Sequence, residues 1–179
     1  GPVYLRFGRP KVANFTDIEK DFVIGRGELL MEGNDITIVA TGHLVWESIK
    51  AASELEKNNI KCEIINIHTI KPLDEEIILN SVSKTRCLVS AEEHNIYGGL
   101  GESISRLLSS KLPTPQEFVG TNDTFGESGK PSELMIKYGL NKDSIINACK
   151  EVLKRKRWGF YQFYFYFHLL PYVKVTSEL

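Results

Sequence analysis

The alternation of short apolar runs with amphipathic segments constrains the fold of this chain more than any other feature. The β-branched runs at 36–42, 62–67 and 87–93 each lead toward a segment with helical periodicity, and a further strand is predicted at 116–120. Strands that alternate with helices of this length form βαβ units, in which a largely parallel sheet is covered on both faces. The sequence therefore predicts an α/β fold, in which ligand sites lie beyond the carboxyl ends of the strands.

Capping residues mark where the helices of this fold begin. Asp74 is placed to cap a helix that starts at the next residue, and Pro72 prevents an earlier start because it cannot sit in a helix interior. Either Asn141 or Asp143 caps the last helix, which is predicted to run through Lys156. The chain is long enough for one domain of ordinary size with its own core.

The charge balance and the cysteines narrow the functional classes. Lysine and arginine total 22 and aspartate and glutamate total 23, whereas a nucleic-acid-binding domain needs a basic excess. Cys62, Cys87 and Cys149 lie far apart without a CxxC pattern, which indicates buried thiols of an intracellular protein. No signal peptide is recognised, so a cytoplasmic location is expected. The chain does not begin with Met, and its apolar opening run indicates a part of a longer polypeptide.

The end of the chain differs in composition from the rest. The segment WGFYQFYFYFHLLPYV (158–173) holds half of the aromatic residues, which total 2 Trp, 7 Tyr and 9 Phe. It is short for a transmembrane helix and Pro171 interrupts its apolar end, so no membrane partner is expected. Its composition is that of an aggregation-prone strand. Residues 158–179 are interpreted as an atypical tail that is disordered or arises from read-through.

The stretch AEEHNIYGGLGESI (91–104) has two interpretations. Its glycines would let backbone N–H groups bind an anion at a helix N-terminus. Alternatively, small residues let the helix pack close to the sheet, with the two glutamates near the positive end of the helix dipole. A dinucleotide fingerprint is disfavoured, because Ile104 stands where its third glycine belongs. The sequence favours the structural interpretation; the residues concerned are Glu92, Glu93, His94, Gly98, Gly99 and Gly101.

Histidines and arginines near strand ends are the other candidates. His43, His68 and His94 each follow a strand, but their spacing favours hydrogen-bonded histidines at a domain edge over a metal site. Arg6 and Arg9 flank a glycine after the opening run. Two guanidinium groups suit a phosphorylated substrate, and a pair of solvated arginines at a domain boundary explains them equally well.

The order of the motifs resembles the C-terminal part of transketolases over residues 1–155. The segments are GPVYLRFGRPK, GNDITIVATGHLVWESIKAASEL, INIHTIKPLD, LVSAEEHNIYGGLGESI and FGESGKPSELMIKYGL. The short, split-type transketolases are most similar, in which this region belongs to a separate C-terminal subunit. Deoxyxylulose-phosphate synthases and the beta subunits of 2-oxoacid dehydrogenases have related patterns, but the residue equivalent to His94 usually differs there, which favours transketolase.

The resemblance implies a three-layer α/β/α domain with a mixed, mostly parallel five-stranded sheet. Residues 1–14 would end a preceding pyrimidine-binding domain and its linker, and 15–157 would form the C-terminal domain. The parent enzyme would use thiamine diphosphate and Mg²⁺ to transfer a two-carbon ketol unit between sugar phosphates in the pentose phosphate pathway. In the family the cofactor and metal are held by preceding domains, and the cofactor-binding GDG motif is absent from this sequence. This chain alone is therefore expected to be inactive, with no catalytic residue, cofactor or metal of its own.

The resemblance also implies roles for particular residues and partners. Arg9 matches an arginine that holds the substrate phosphate in the family, and Arg6 is the second choice. For the glycine-rich stretch and His68, the resemblance favours a turn and an interface. The expected partners are the N-terminal transketolase subunit or domains and a second copy in a homodimer. Two alternatives stay open: a nucleotide- or phosphate-binding module that uses Gly98–Gly101, and an assembly domain without a ligand.

Overall fold

A computed structural model describes the backbone of residues 1–5, 12–17 and 19–169, and the side chains of these residues up to Lys156. Within this part of the chain the strands are β1 (Glu28–Met31), β2 (Ile36–Ala40), β3 (Cys62–Asn66), β4 (Leu88–Asn95) and β5 (Gln116–Thr121). The helices are α1 (His43–Glu56), α2 (Glu75–Thr85), α3 (Leu100–Lys111), α4 (Pro131–Lys137) and α5 (Lys142–Leu169).

The five strands form one mixed sheet in the order β1-β3-β2-β4-β5. Strands β2 to β5 run parallel, and β1 pairs with β3 in the antiparallel direction. Helices α1 and α5 pack on one face of the sheet, and α2 and α3 pack on the other. The predicted three-layer α/β/α fold with a mostly parallel five-stranded sheet is confirmed.

The central strand β2 shows why the sheet is buried on both faces. Ile36, Ile38 and Ala40 point into the apolar cluster beneath α1 and α5, whereas Val39 points into the cluster beneath α2 and α3. Successive side chains of a strand face opposite sides, so a continuous apolar run fits a strand covered by helices on both sides.

The helix caps follow the sequence closely. Asp74 Oδ1 accepts a hydrogen bond from the amide of Ile77 at 3.3 Å, and Asn141 Oδ1 accepts one from the amide of Ser144 at 3.0 Å. Of the two predicted caps of α5, the structure therefore uses Asn141. The helix continues to Leu169, beyond the predicted end at residue 156, so the backbone from 158 to 169 is helical rather than extended. The other predictions for the tail concern side chains and residues outside the described part.

A buried carboxylate at the amino end of the sheet anchors α2. Glu63 of β3 is almost fully buried and accepts hydrogen bonds from Lys84 Nζ and from the amide of Gly33. Burial pushes the pKa of Glu63 upward, but its hydrogen bonds and the Lys84 charge outweigh burial and hold that pKa below its ordinary value. This pair links the surface of α2 to the interior of β3.

No helix in the described residues is long and apolar enough to cross a membrane. The cytoplasmic location expected from the sequence stays a prediction.

Candidate functional site

The candidate site lies where the chain reverses direction across the sheet. From β2 the chain passes through α1 to β3 on one side, and through α2 it then returns to β4 on the other side of β2. In open parallel sheets, ligands bind outside the carboxyl ends of the strands at this switch point. The amide of Thr41 donates to the carbonyl of Ala91 at 3.1 Å, so the residue that follows β2 is held against β4.

Glu92 occupies the N-terminus of α3. Its side chain is buried, with 4% of the residue exposed, and its two carboxylate oxygens accept hydrogen bonds from the amides of Leu100 (2.7 Å) and Gly101 (2.8 Å). The first amides of a helix lack partners within the helix and lie at the positive end of its dipole. The backbone N–H groups that the anion-binding interpretation assigns to an external phosphate therefore donate to a carboxylate of the same chain.

The first two glycines of the turn make this capping arrangement fit. Gly99 has an ordinary φ of −98°, but a Cβ there would lie 2.2 Å from Glu92 Oε2. Gly98 has a φ of +74°, a left-handed conformation that glycine adopts without strain, and its amide donates to Glu102 Oε2 at 2.6 Å. Gly99 is therefore required for space and Gly98 for backbone conformation.

The third glycine lets α3 approach the sheet. A Cβ on Gly101 would lie 2.6 Å from Phe118 Cδ1 and 2.7 Å from Ser90 Oγ. Beside it, the buried Gln116 side chain donates through Nε2 to the carbonyl of Gly101 at 2.9 Å. This close packing of helix and sheet is what the structural interpretation of the stretch predicts.

Glu93 points to the opposite face of the sheet from Glu92. Its Oε2 lies 3.1 Å from His43 Nδ1, and both side chains are partly exposed. The alternation of side chains along β4 explains the difference, since adjacent residues of a strand face opposite sides. The expectation that both glutamates lie near the α3 dipole holds for Glu92 alone.

The Glu93 contact lies beside the N-terminus of α1. Gly42 precedes this helix with a φ of +59°, and α1 has no side-chain cap. His43, its first residue, is instead paired with Glu93 across the switch point. A carboxylate at Nδ1 favours the Nδ1–H tautomer and orients the imidazole ring.

The other two histidines make separate local contacts. His94 Nδ1 lies 2.8 Å from the carbonyl of Asn95, and His68 Nδ1 lies 2.9 Å from Thr69 Oγ1. His68 also stacks on Phe22, with ring centroids 4.2 Å apart. Among the residues that the structure describes, no group of three or more His, Cys, Asp or Glu side chains is arranged to hold a metal ion.

The three cysteines are buried, as the sequence predicts. Burial raises the pKa of the Cys87 thiol to about 11. A hydrogen bond with Cys62, together with burial, also raises the pKa of Cys149. Thiols with raised pKa values are poor nucleophiles, because the thiolate is the reactive form.

Arg6 and Arg9 lie outside the described residues, so their predicted phosphate-binding role stays a prediction. Sequence reasoning missed the His43–Glu93 pair and the buried Gln116. The sequence contained a signal for the His43–Glu93 pair, because adjacent residues of a strand face opposite sides and Glu93 therefore points away from Glu92. It contained no signal for the role of Gln116, since the partners of Gln116 are a helix backbone and a strand distant in sequence.

Comparison with known proteins gives a consistent result. Residues 25–145 match the family described as "Transketolase, C-terminal domain". A 6-deoxy-6-sulfo-D-fructose transketolase subunit from Clostridium sp. (strain MSTE9) is 41% identical over 158 residues, which cover 88% of this chain and 49% of that protein. A 1-deoxy-D-xylulose-5-phosphate synthase from Desulforudis audaxviator is 37% identical over 162 residues, covering 88% of this chain and 25% of that protein.

A solved structure has the same fold. It is described as a split gene transketolase, inactive beta4 tetramer, and it superposes with a TM-score of 0.79 at 38% sequence identity. The match covers 81% of this chain and 48% of that one. The present chain thus spans about half the length of the transketolase subunits it matches.

Proposed function

Because the chain belongs to the transketolase C-terminal domain family, we propose that it is the C-terminal part of a split-type, thiamine-diphosphate-dependent transketolase. The whole enzyme transfers a two-carbon ketol unit between sugar phosphates in the pentose phosphate pathway. This part serves subunit assembly and lies at the edge of the active site. It is not active alone.

The observation that carries the structural role of this part is the capping of α3 by Glu92. The glycine-rich turn at the carboxyl edge of the sheet offers the amides of Leu100 and Gly101 to a carboxylate of the same chain, at 2.7 and 2.8 Å. An external diphosphate would have to displace this buried carboxylate. The geometry therefore supports a structural role for the turn and no specific observation favours the nucleotide-binding alternative.

The N-termini of α2 and α3 do not fit the diphosphate of thiamine diphosphate. Asp74 and Glu92 of this chain already accept hydrogen bonds from the first amides of these helices. We infer that the cofactor and metal belong to the remaining half of the enzyme, which supplies the catalytic groups.

The proposed partners are the N-terminal transketolase subunit, the preceding domain and a second copy in a homodimer. A 38% identical split gene transketolase is described as inactive in its beta4 tetramer, which supports inactivity of this half alone. Arg9 is proposed to hold the substrate phosphate where this part meets the preceding domain, with Arg6 as the second choice.

The test is a reconstitution of ketol transfer. This chain is mixed with thiamine diphosphate, Mg²⁺, xylulose 5-phosphate and ribose 5-phosphate, first alone and then with its preceding domain and the N-terminal subunit. Turnover is expected only in the second mixture; turnover by this chain alone would contradict the proposal. In a parallel assay the complete mixture receives pyruvate and glyceraldehyde 3-phosphate. Formation of 1-deoxy-D-xylulose 5-phosphate and CO₂ there, without ketol transfer in the first assay, would assign the chain to the synthase instead.

The Arg9 role is tested in the complete enzyme. Arg9→Ala removes a charge-assisted contact to phosphate, so it should raise the KM for phosphorylated sugars more than it lowers kcat. Arg106→Ala is the matched control, because Arg106 is an exposed arginine on α3 whose described partner is the Glu75 carboxylate at 3.9 Å. Equal KM values for the two variants would contradict a phosphate-binding role for Arg9 and leave this part of the enzyme with its assembly role alone.

A further inference from the structure

The segment that enters the domain is held by the loop after β3. The ring of Phe22 stacks on His68 with a centroid distance of 4.2 Å and an interplanar angle of 36°. The amide of Gly25 donates to Thr69 Oγ1 at 3.1 Å, and the same oxygen lies 2.9 Å from His68 Nδ1. We call residues 22–27 together with residues 68–74 the clasp.

Asp74 completes the clasp from inside the domain. Its Oδ2 accepts a hydrogen bond from the amide of Gly27 at 2.8 Å, while its Oδ1 caps α2 through Ile77. The side chain is largely buried, so both contacts are made by a fixed group. The entering segment is therefore fastened to the same residue that starts a core helix.

A larger residue at either glycine of the clasp would disturb the local structure. Gly25 has a φ of +86°, which strains other residues, and a Cβ on Gly27 would lie 2.7 Å from Ile67 Cδ1. A flexible tether needs no such fit. The HTIKPLD motif thus has a role beyond the turn and cap predicted from the sequence, because it receives the entering segment.

Large apolar side chains lie on the outer surface of the clasp, beside the exposed Arg26 and Lys71. Phe22, Val23 and Ile24 are 70%, 51% and 75% exposed, and Ile70 from the opposite side of the clasp is 38% exposed. Among the exposed large apolar residues of the described chain, most precede β2: Val3, Tyr4, Leu5, Val12, Phe22, Val23, Ile24 and Leu29. A concentration of exposed apolar side chains on one segment marks a surface that another protein surface covers.

We propose that the clasp is a rigid joint and that Phe22, Val23, Ile24 and Ile70 form the surface on which the preceding domain of the longer polypeptide docks. The occupant follows from length, since the 158 residues aligned with a 41% identical subunit cover only 49% of that protein, and the entering segment precedes the C-terminal family domain. The inference rests on the proposed function, because it requires a preceding domain. The clasp would turn the carboxyl end of β3 toward that domain.

The test measures how fast an introduced cysteine reacts with a maleimide. Ile24→Cys is compared in this chain alone and in the polypeptide that carries its preceding domain, with labelling located by peptide mass spectrometry. The native cysteines of this chain are buried and give a low background. Docking should slow labelling of Ile24→Cys about tenfold or more in the longer polypeptide, because thiol reactivity depends on access.

Ile136→Cys is the matched control. Ile136 is 69% exposed and lies on α4, away from the clasp in sequence and element, so its labelling rate should be the same in both proteins. Equal rates for Ile24→Cys in the two proteins would overturn the proposal. Slow labelling of Ile24→Cys in this chain alone that disappears on dilution would also overturn it, because a second copy would then cover the patch.

Hydrogen exchange tests the rigid joint separately. The amides of Gly25 and Gly27 should be protected, and Thr69→Val should expose the Gly25 amide by removing its acceptor while leaving Gly27 protected. Unprotected amides in the unaltered protein would refute the joint. These readouts do not depend on ketol transfer. Protected Gly25 and Gly27 amides in a complete enzyme without turnover would contradict only the proposed function. Turnover with unprotected amides would contradict only this inference.

Discussion

Replacing Glu92 with glutamine is the most informative perturbation of this domain. The side chain keeps its size, but one carboxylate oxygen becomes an amide donor that faces the backbone N–H of Leu100 or Gly101. Loss of a hydrogen bond to a charged group costs about 1.5–3 kcal/mol. Loss of the charge at the helix N-terminus costs about 0.3–1 kcal/mol more. Glu92→Gln should therefore lower the free energy of unfolding by about 2–4 kcal/mol.

The neighbouring residue supplies the matched control. Glu93→Gln makes the same chemical change one position later, where the carboxylate is half-exposed and its described partner is His43 at 3.1 Å. Such pairs contribute about 0–1 kcal/mol, so this variant should unfold nearly as the unaltered protein does. Urea unfolding followed by far-ultraviolet circular dichroism measures both. On heating, Glu92→Gln should lower Tm by about 4–16 °C.

Similar losses for the two variants would refute the capping argument. The α3 amides would then have another partner, and the anion-binding interpretation would regain weight. Inorganic phosphate provides a second criterion: it should leave the unaltered protein unchanged and stabilise Glu92→Ala, whose helix N-terminus is vacated. Stabilisation of the unaltered protein by phosphate, abolished in Gly99→Val, would instead support the phosphate-binding module.

Three further results are expected from the same unfolding assay. Gly99→Ala should destabilise by about 1–3 kcal/mol through its clash with the Glu92 carboxylate, and most of this loss should vanish in a Glu92→Ala background because the clashing group is gone. Glu63→Gln should cost about 1–3 kcal/mol at neutral pH. Burial raises the pKa of folded Glu63, but its hydrogen bonds and Lys84 outweigh burial and lower that pKa below its ordinary value. The destabilisation by Glu63→Gln should therefore shrink as the pH falls below the ordinary pKa of glutamate and through the lower pKa of the folded protein. A destabilisation that does not change with pH would contradict a stabilising Glu63–Lys84 pair. Asp74→Ala should lower the free energy of unfolding by more than the roughly 1 kcal/mol expected for an ordinary helix cap, because it also releases the Gly27 amide of the entering segment. A loss of only about 1 kcal/mol would mean that Asp74 acts only as a helix cap.

The fold was largely predictable because its local signals agree with one another. The buried run at β2, the Asp74 cap and the Asn141 cap each point to the observed element. Strand β1 gave no comparable signal, since it has four residues, only partial burial and a bulge in its pairing with β3. Its existence depends on a neighbouring strand edge that lies far away in the sequence.

The site was predictable in kind but not in geometry. The sequence placed two glutamates and three glycines at a strand-to-helix turn, and it favoured packing over ligand binding. It did not predict that Glu92 caps α3 and that Glu93 pairs with His43. That prediction requires knowing which side chains of β4 face the helix layer of α3 and which face the layer of α1. The clasp was also hidden, because the hydrogen bond between Gly27 and Asp74 joins residues separated by 47 positions.

The position of these contacts bears on whether the carboxyl edge of this sheet can bind a ligand. In open parallel sheets the carboxyl edge normally binds the ligand. Here Glu92 fills the N-terminus of α3, and Asp74 fills that of α2 while it fastens the entering segment. A side chain held in place by the fold competes with any free anion at high effective concentration, so a ligand would bind these two helix ends only at the expense of folding free energy. The N-termini of α2 and α3 are therefore better suited to fastening segments of this chain than to binding the reacting sugar.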